Sequence, residues 1–309
     1  MTGSAGGPAG PPPSGDSAAP PTCYRHPDRE TYIRCSRCER PICPECMIAA
    51  PVGYQCPQCV AEGRKGVRQA RTVLGGQRRD SSSNAVTLTL IGINVVIWVM
   101  GLAIGTRGDS FLDRYARGIG TNELSARLGL VLGDRGDPFS FGVVDGQWYR
   151  LVTAAFTHEN VLHIGLNMVA LYMLGSSLEP ILGRSRFLTL YLLSALGGTA
   201  ASLLTVSDPY SLSYGASGAV YGLFGALFVI ARRLGRDTGG IVVILGINLV
   251  FGFTVPGIDW RAHLGGLVIG TALAAVYAYA PKEQRGLWAL IGSLAAAMLV
   301  TTAIMIAVS

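Results

Sequence analysis

Long apolar segments separated by short polar ones dominate the chain from residue 85 onward. Seven stretches are almost free of charge, and they cover residues 85–106, 160–178, 187–207, 209–231, 238–258, 262–280 and 286–309. Each has about the 17–25 residues that a helix needs to cross roughly 30 Å of hydrocarbon. The pattern therefore predicts an all-α polytopic membrane protein with seven transmembrane helices.

The distribution of basic residues predicts how these helices are oriented. Arginine and lysine concentrate before the first span and in the second-to-third, fourth-to-fifth and sixth-to-seventh loops, whereas the other short loops are poor in them. Cytoplasmic loops carry the excess of Lys and Arg in membrane proteins. We therefore expect a multi-pass protein of the cell membrane, with its N-terminus in the cytoplasm and its C-terminus outside.

Composition narrows the function classes. Half of the 309 residues are hydrophobic and 14% are charged, which excludes an ordinary soluble domain. The net charge of +6 requires no nucleic-acid partner, because the basic residues are spread over the predicted cytoplasmic loops. Residues 1–22 are rich in Gly, Pro, Ser and Ala and have no apolar core, so we expect a disordered tail and no signal peptide.

Two of the apolar segments each contain one residue suited to catalysis. Ser217 lies between Gly215 and Gly218 in a segment without charge until Arg232, and His263 is the single ionisable residue of a later segment. Polar and ionisable groups are costly inside a bilayer and are kept mostly where they have a function. With the predicted topology both residues lie near the outer ends of their helices, so we expect them to form a serine–histidine dyad.

Glycines beside these two residues allow a second interpretation. Gly218-x3-Gly222 and Gly266-x3-Gly270 are small-residue pairs of the kind that lets membrane helices pack closely. Close packing alone would explain a serine between glycines. The same packing would bring the Ser217 hydroxyl within reach of the His263 imidazole, so the two interpretations are compatible.

A second polar cluster lies at the start of residues 160–178. His163 and Asn167 are four residues apart and share one helix face, and His158 lies five residues before His163. An Asn amide or an imidazole N–H can donate a hydrogen bond to a tetrahedral oxyanion. Alternatively, Asn167 holds two helices together through hydrogen bonds, and His158 caps the entrance of its helix.

The seven cysteines all lie between residues 23 and 59, and together with His26 they form four pairs with two-residue spacing. This spacing lets two ligands point at one tetrahedral zinc ion. Disulfides are opposed by the odd number of cysteines and by the reducing cytoplasm. We therefore expect residues 23–62 to form a finger with two structural zinc ions and no catalytic metal.

The gaps between the pairs favour an interleaved arrangement. Joining the first pair to the third and the second to the fourth leaves 16 and 17 residues between them, whereas sequential joining leaves 8 and 9. The two predicted ligand sets are Cys23, His26, Cys43 and Cys46, and Cys35, Cys38, Cys56 and Cys59. A core of about 40 residues is too small to fold without metal. The ligand pattern resembles the B-box-type zinc fingers, which usually mediate protein contacts, so a cytoplasmic protein partner is one role that the resemblance allows.

Residues 63–84 form a basic linker between the finger and the first span. Six basic residues and no acidic residue lie between Arg64 and Arg79. The linker is either a solvated tether that enforces topology or a contact with anionic headgroups, worth about 1 kcal/mol per basic side chain. Both roles are compatible.

From residue 85 to residue 309 the chain resembles the rhomboid family of intramembrane serine proteases. The motifs that carry the resemblance are Trp148-Tyr149-Arg150, His158, His163-x3-Asn167, Gly215-x-Ser217-Gly218 with Tyr221, and Ala262-His263-x-Gly265-Gly266. They occur in the order of the family. The resemblance implies a six-helix core with one helix added after it, and it offers no counterpart of the zinc module.

The resemblance also implies roles for individual residues. Ser217 would be the nucleophile and His263 the general base, with Tyr221 supporting the His263 ring. His163 and Asn167 would line the oxyanion hole together with the Ser217 backbone N–H. The residues that match structural positions of the family are Trp148, Arg150 and Glu179.

The implied reaction is hydrolysis of peptide bonds in or near the transmembrane helices of membrane-protein substrates. The alternative is a catalytically silent relative that binds or sorts membrane clients, which the presence of both dyad residues and of His163 and Asn167 opposes. A small transporter or channel would need polar residues along the whole membrane path. Here they cluster in the outer third, which argues against that class.

Overall fold

A computed structural model describes residues 19–66, 74, 84–104 and 123–309. The predicted tail lies mostly, and the predicted basic linker largely, outside the described residues. The chain divides into two compact units, Met1–Gln69 and Ala70–Ser309.

The N-terminal unit has little regular structure. A 3₁₀ turn at Pro44–Cys46 precedes two short antiparallel strands, β1 (Ile48–Ala49) and β2 (Tyr54–Gln55), and helix α1 spans Pro57–Gly66. Its core consists of cysteines around the fully buried Ile42. Few apolar side chains are buried in this unit, so its hydrophobic core is small.

The second unit is helical. Its long helices are α2 (Ala85–Ile104), α5 (Val161–Leu182), α6 (Arg184–Thr205), α7 (Ser217–Arg233), α8 (Gly239–Thr254), α9 (Trp260–Tyr279) and α10 (Arg285–Val308). Short helices α3 (Glu123–Leu128) and α4 (Arg150–Thr153) lie between the first two long ones, and 3₁₀ turns occur at Ala154–Phe156 and Lys282–Gln284. The predicted all-α polytopic fold class is confirmed.

Among the described residues, five helices are long and apolar enough to cross a membrane: α2, α5, α6, α9 and the segment Lys282–Val308 that contains α10. The other two expected spans are shorter, with 17 residues in α7 and 16 in α8. The prediction for residues 209–231 was wrong at its start, because α7 begins at Ser217. Residues 209–216 are instead a loop, in which Ser213 pairs with Leu130 as an antiparallel bridge.

Glycines set the distance between neighbouring helices at the centre of the second unit. Helix α9 makes its most extensive contacts with α7 and α6, and these three helices also contain most of the fully buried positions. A Cβ atom on Gly266 would collide with the backbone of Gly218, and one on Gly270 would collide with the backbone of Gly222. Only glycine permits helices to approach this closely, so the two predicted glycine pairs lie in one interface.

The end of α5 holds the start of α2. The buried carboxylate of Glu179 accepts hydrogen bonds from the backbone N–H groups of Val86 and Thr87 at 3.0 and 2.9 Å, and from the Thr87 hydroxyl at 2.7 Å. These are N–H groups that a helix leaves without an intrahelical partner at its start. A carboxylate there also interacts favourably with the helix dipole, which makes Glu179 a cap supplied by another helix.

Candidate active site

Ser217 is the first residue of α7, and a glycine turn positions it. Gly215 has φ of +122°, a backbone conformation that favours glycine. A Cβ on Gly215 would also lie 2.7 Å from Nε2 of His163. The turn therefore depends on glycine twice, for its backbone angle and for the space that the His163 ring occupies.

His263 faces Ser217 from the first turn of α9. Its Nε2 lies 2.8 Å from the Ser217 hydroxyl oxygen, which is hydrogen-bond distance, although the two residues are 46 positions apart in the sequence. The imidazole is 8% exposed. In the tautomer that carries its proton on Nδ1, the ring can accept the Ser217 proton at Nε2.

Packing holds the His263 ring in place. The Tyr221 ring stacks on it with centroids 4.2 Å apart and an interplanar angle of 11°. Tyr221 is four residues after Ser217 on α7, so the same helix supplies both the hydroxyl and the stacking surface. Nδ1 of His263 has no hydrogen-bond partner within the described residues, and it faces Gly252 of α8.

His163 and Asn167 lie on α5, and the His163 ring lies against Gly215 in the turn before Ser217. Asn160 caps this helix by accepting a hydrogen bond from the His163 backbone N–H at 2.9 Å. The Asn167 amide is 7% exposed, and it donates to the His163 carbonyl of its own helix at 2.9 Å. An amide has two N–H groups, so this bond leaves the second one for another acceptor. Because this bond stays within α5, it does not join Asn167 to another helix, as the alternative interpretation of Asn167 would require.

His158 lies behind His163 and contacts the turn before Ser217. It is 1% exposed, and burial lowers its pKa to about 3, with a smaller contribution from His163. Its neutral Nε2 accepts a hydrogen bond from the Ala216 backbone N–H at 3.4 Å, and its ring meets the His163 ring edge-on at 5.0 Å. His158 thus supports the turn before Ser217 rather than only capping the entrance of α5.

Arg150 supports the loop before α5. It is 3% exposed, and its guanidinium donates to the Gln147 side chain and to the Gly129 carbonyl, both at 2.6 Å. Trp148, by contrast, is 46% exposed.

Asp259 was missed by the sequence reasoning. It is the N-cap of α9, four residues before His263, and its carboxylate accepts hydrogen bonds from the Ala262 N–H at 3.3 Å and from the buried Ser202 hydroxyl at 2.5 Å. An Asp at the start of an apolar helix is an N-cap signal. No comparable signal points to Ser202, because its partner is 57 positions away.

The eight Cys and His side chains of the finger gather in two groups. One contains Cys23, His26, Cys43 and Cys46, the other Cys35, Cys38, Cys56 and Cys59, and in each group the ligand atoms lie within 4.8 Å of one another. The seven cysteines form no disulfide. Sets of three or four sulfurs with at most one imidazole fit a tetrahedral metal ion, and both groups can hold one.

The thiol chemistry at these groups suits a metal ion. Burial raises the pKa of Cys23, but hydrogen bonds from backbone N–H groups outweigh it and lower the pKa to about 6. The same balance lowers the pKa of Cys35 to about 6. Since the thiolate is the form that binds metal, these backbone donors favour one metal-binding thiolate in each group. Burial and neighbouring thiols act in the opposite direction on Cys46 and Cys59, and they raise the pKa of Cys46 to about 11 and that of Cys59 to about 12.

Part of the helical unit is similar to known proteins. A family model described as the rhomboid domain matches residues 145–280, which include Ser217 and His263 but not the cysteines. Rhomboid protease GluP of Bacillus subtilis is 41% identical over 138 residues, 43% of this chain and 27% of that protein. RHOMBOID-like protein 5 of Arabidopsis thaliana is 35% identical over 147 residues, 45% of this chain and 47% of that protein.

The B. subtilis rhomboid homologue YdcA is 32% identical over 152 residues, which make up 48% of this chain and 75% of that protein. The chain thus spans about a quarter of the length of GluP, about half of the plant protein and three quarters of YdcA.

Proposed function

This chain belongs to the rhomboid family, and we propose that it is an intramembrane serine endopeptidase that cleaves peptide bonds in or near transmembrane segments of other membrane proteins. The observation that carries the proposal is the 2.8 Å contact between Nε2 of His263 and the Ser217 hydroxyl. A hydroxyl becomes a good nucleophile when a base within hydrogen-bond reach removes its proton.

In the proposed reaction His263 Nε2 takes the Ser217 proton while the serine oxygen bonds to the substrate carbonyl carbon. The carbonyl π electrons move to the oxygen and give a tetrahedral oxyanion. Collapse of this oxyanion expels the amine, which takes the proton from His263, and leaves an acyl-enzyme. Water then attacks the ester with His263 again as base, and Ser217 is released.

His163 and Asn167 are the proposed side-chain donors to the oxyanion, together with the Ser217 backbone N–H. The proposal is supported by the position of His163 against Gly215, two residues before the first residue of α7, and by the second N–H of the Asn167 amide. A donor accelerates the chemical step when its hydrogen bond to the oxyanion is stronger than its hydrogen bond to the ground-state carbonyl.

The alternative function is a catalytically silent rhomboid that binds or sorts membrane clients. Such a protein would have no need for a base hydrogen-bonded to a hydroxyl and a second aromatic ring stacked on that base. The stacking of Tyr221 on His263 therefore favours the protease.

We further propose the orientation and metal content that the sequence predicts. The N-terminus lies in the cytoplasm and the C-terminus outside the cell membrane, so the dyad opens toward the outer face. Two structural zinc ions occupy the interleaved Cys/His groups, which is supported by three-cysteine-one-histidine and four-cysteine donor sets. The finger binds a cytoplasmic protein, and the basic linker contacts anionic headgroups.

The test is cleavage of a fluorophore–quencher reporter with a single transmembrane segment, by purified protein in liposomes. Wild type is expected to cleave it, and Ser217→Ala and His263→Ala to abolish cleavage, with the double variant no worse than either single one because the two residues act as a unit. Ser293→Ala is the matched control, since this membrane-helix hydroxyl bonds Tyr277 and the Ala289 carbonyl instead. Turnover by Ser217→Ala near the wild-type rate would refute the assignment, and binding of the reporter without cleavage by wild type would favour the silent alternative.

A further inference from the structure

The carboxylate of Asp259 is fixed at the start of the helix that carries His263. One oxygen accepts from the Ala262 N–H at 3.3 Å, and the other accepts from the Ser202 hydroxyl of α6 at 2.5 Å. Ser202 is 5% exposed, so this bond is shielded from water. The backbone N–H of His263 donates to the Asp259 carbonyl at 3.4 Å, which places the two residues one helical turn apart.

His263 therefore occupies a position where the helix itself opposes a positive charge. The N-terminus of a helix acts as roughly half a positive elementary charge, and His263 lies in the first turn of α9. The imidazolium that forms when His263 takes a proton has no carboxylate on Nδ1 within the described residues, because Nδ1 has no hydrogen-bond partner there. A negative charge at the N-cap would offset both effects.

Among the residues that the structure describes, the other groups near His263 supply no negative charge. On its own helix Arg261 lies over the Trp260 ring at 5.1 Å, and α7 contributes the neutral Tyr221 and Ser217. Helix α5 contributes His163, which interacts with His263 as a like charge when both are protonated, and α8 contributes Gly252. On α6 the contacts are Ser202 with Asp259 and glycines with the α9 backbone.

We propose that Asp259, held by Ser202, is a positioning residue that stabilises the positive charge on His263 while His263 holds the Ser217 proton, an inference that rests on the proposed protease function. The carboxylate acts through the helix start and not through a bond to the imidazole. It takes the electrostatic role that a third triad member has in other serine proteases, while its hydrogen bonds are made to α6 and to its own helix.

The experiment compares wild type with Asp259→Asn, which keeps an N-cap acceptor but removes the charge. Two readouts are taken in the full-length protein: the pH profile of kcat/KM on the transmembrane reporter, and the ¹⁵N NMR titration of the His263 ring, assigned with His263→Gln. In Asp259→Asn the acid limb and the ring's titration midpoint are both expected about 0.5–1 pH unit lower. The plateau kcat falls roughly three- to tenfold because a weaker base transfers the proton more slowly, with KM unchanged.

Ser202→Ala is the matched control, because it removes the bond to α6 and keeps the charge. In Ser202→Ala the acid limb of the pH profile and the titration midpoint of His263 stay at the wild-type values. Its kcat falls by less than that of Asp259→Asn. A midpoint in Asp259→Asn equal to that of wild type would overturn the inference, as would an equal shift in Ser202→Ala. If Asp259→Asn unfolds, Asp259→Ser supplies another uncharged N-cap with the same expectation. Absence of cleavage by wild type would refute the protease function, while the NMR midpoint would still decide the role of Asp259.

Discussion

At the scale of single residues, the candidate site consists of the proposed catalytic pair and of neighbouring side chains that hold this pair in place. Ser217 and His263 are at hydrogen-bond distance, while Tyr221 stacks on the imidazole and His158 accepts from the backbone before the serine. Tyr221 and His158 help to orient His263 and Ser217 toward each other. We therefore expect replacement of either side chain to lower turnover more than substrate binding.

Replacement of Asn167 by alanine separates catalysis from packing. If Asn167 is a principal oxyanion donor, Asn167→Ala is expected to raise the barrier to cleavage by about 3 kcal/mol, with a smaller effect on KM. His163 can partly substitute, which would reduce the effect. Kinetics and thermal unfolding in detergent are measured together, and a variant that mainly unfolds would identify Asn167 as a structural residue instead.

Acid should weaken the fold through His158. Its pKa of about 3 in the folded protein lies below the ordinary 6.5, so the unfolded chain binds a proton that the folded chain does not. The stability due to neutral His158 is complete above pH 6.5 and falls as the pH drops toward 3. Between pH 7.5 and 5 the loss from this residue is about 2 kcal/mol.

His158→Gln keeps a hydrogen-bond acceptor but cannot take up a proton. Its melting temperature should therefore fall less than that of wild type between pH 7.5 and pH 5. The control is wild type, which is measured at both pH values beside His158→Gln. A variant of His26 would not serve, because His26 belongs to one of the two Cys/His groups. Parallel pH dependences in the two proteins would contradict the buried neutral state of His158.

At the scale of elements, the crossing of α7 and α9 decides whether the dyad forms. Gly266→Ala would bring its Cβ 2.6 Å from the Gly218 carbonyl carbon, so the helices must separate. Overpacking of this kind costs about 1–3 kcal/mol, and the separation also lengthens the Ser217–His263 contact. We expect a lower melting temperature and a loss of cleavage that exceeds the loss of folded protein.

Gly246→Ala is the control for this prediction, because nothing lies within 4 Å of the added Cβ on α8. Alanine is the better helix former, so this variant should equal or slightly exceed the stability of wild type. If Gly266→Ala and Gly246→Ala behaved alike, the glycine interface would not set the site's geometry.

Some elements could be predicted from hydropathy and others could not. Seven helices correspond to the seven apolar stretches, because length and lack of charge are sufficient for a membrane helix. The start of α7 at Ser217 could not be predicted from charge alone, since residues 209–216 carry no charge, although Pro209 and the polar residues after it are typical of a loop. The form of this loop depends in part on the pairing of Ser213 with Leu130, a residue distant in the sequence. The Asp259–Ser202 bond likewise depends on a contact between helices.

At the scale of the whole molecule, the two units have separate proposed functions. The N-terminal finger binds a protein and depends on metal ions, and the helical unit carries out proteolysis. We expect two zinc ions per full-length chain by elemental analysis, with Cys43→Ser/Cys46→Ser losing the ion shared with Cys23 and His26 and disordering the whole finger. A truncated protein that begins at Ser81 should still cleave the reporter. One zinc ion per chain would refute the two-site assignment, and a folded but inactive truncated protein would refute the division of labour.

We propose above all that Ser217 is a nucleophile activated by His263 within the membrane. The most direct measurement is intact-mass and peptide-mapping analysis after reaction with a serine-directed fluorophosphonate. A single adduct on Ser217 is predicted for wild type and for Ser293→Ala, with none in Ser217→Ala and labelling at least about a hundredfold slower in His263→Ala. An adduct on another residue, or equal labelling rates with and without His263, would contradict the account.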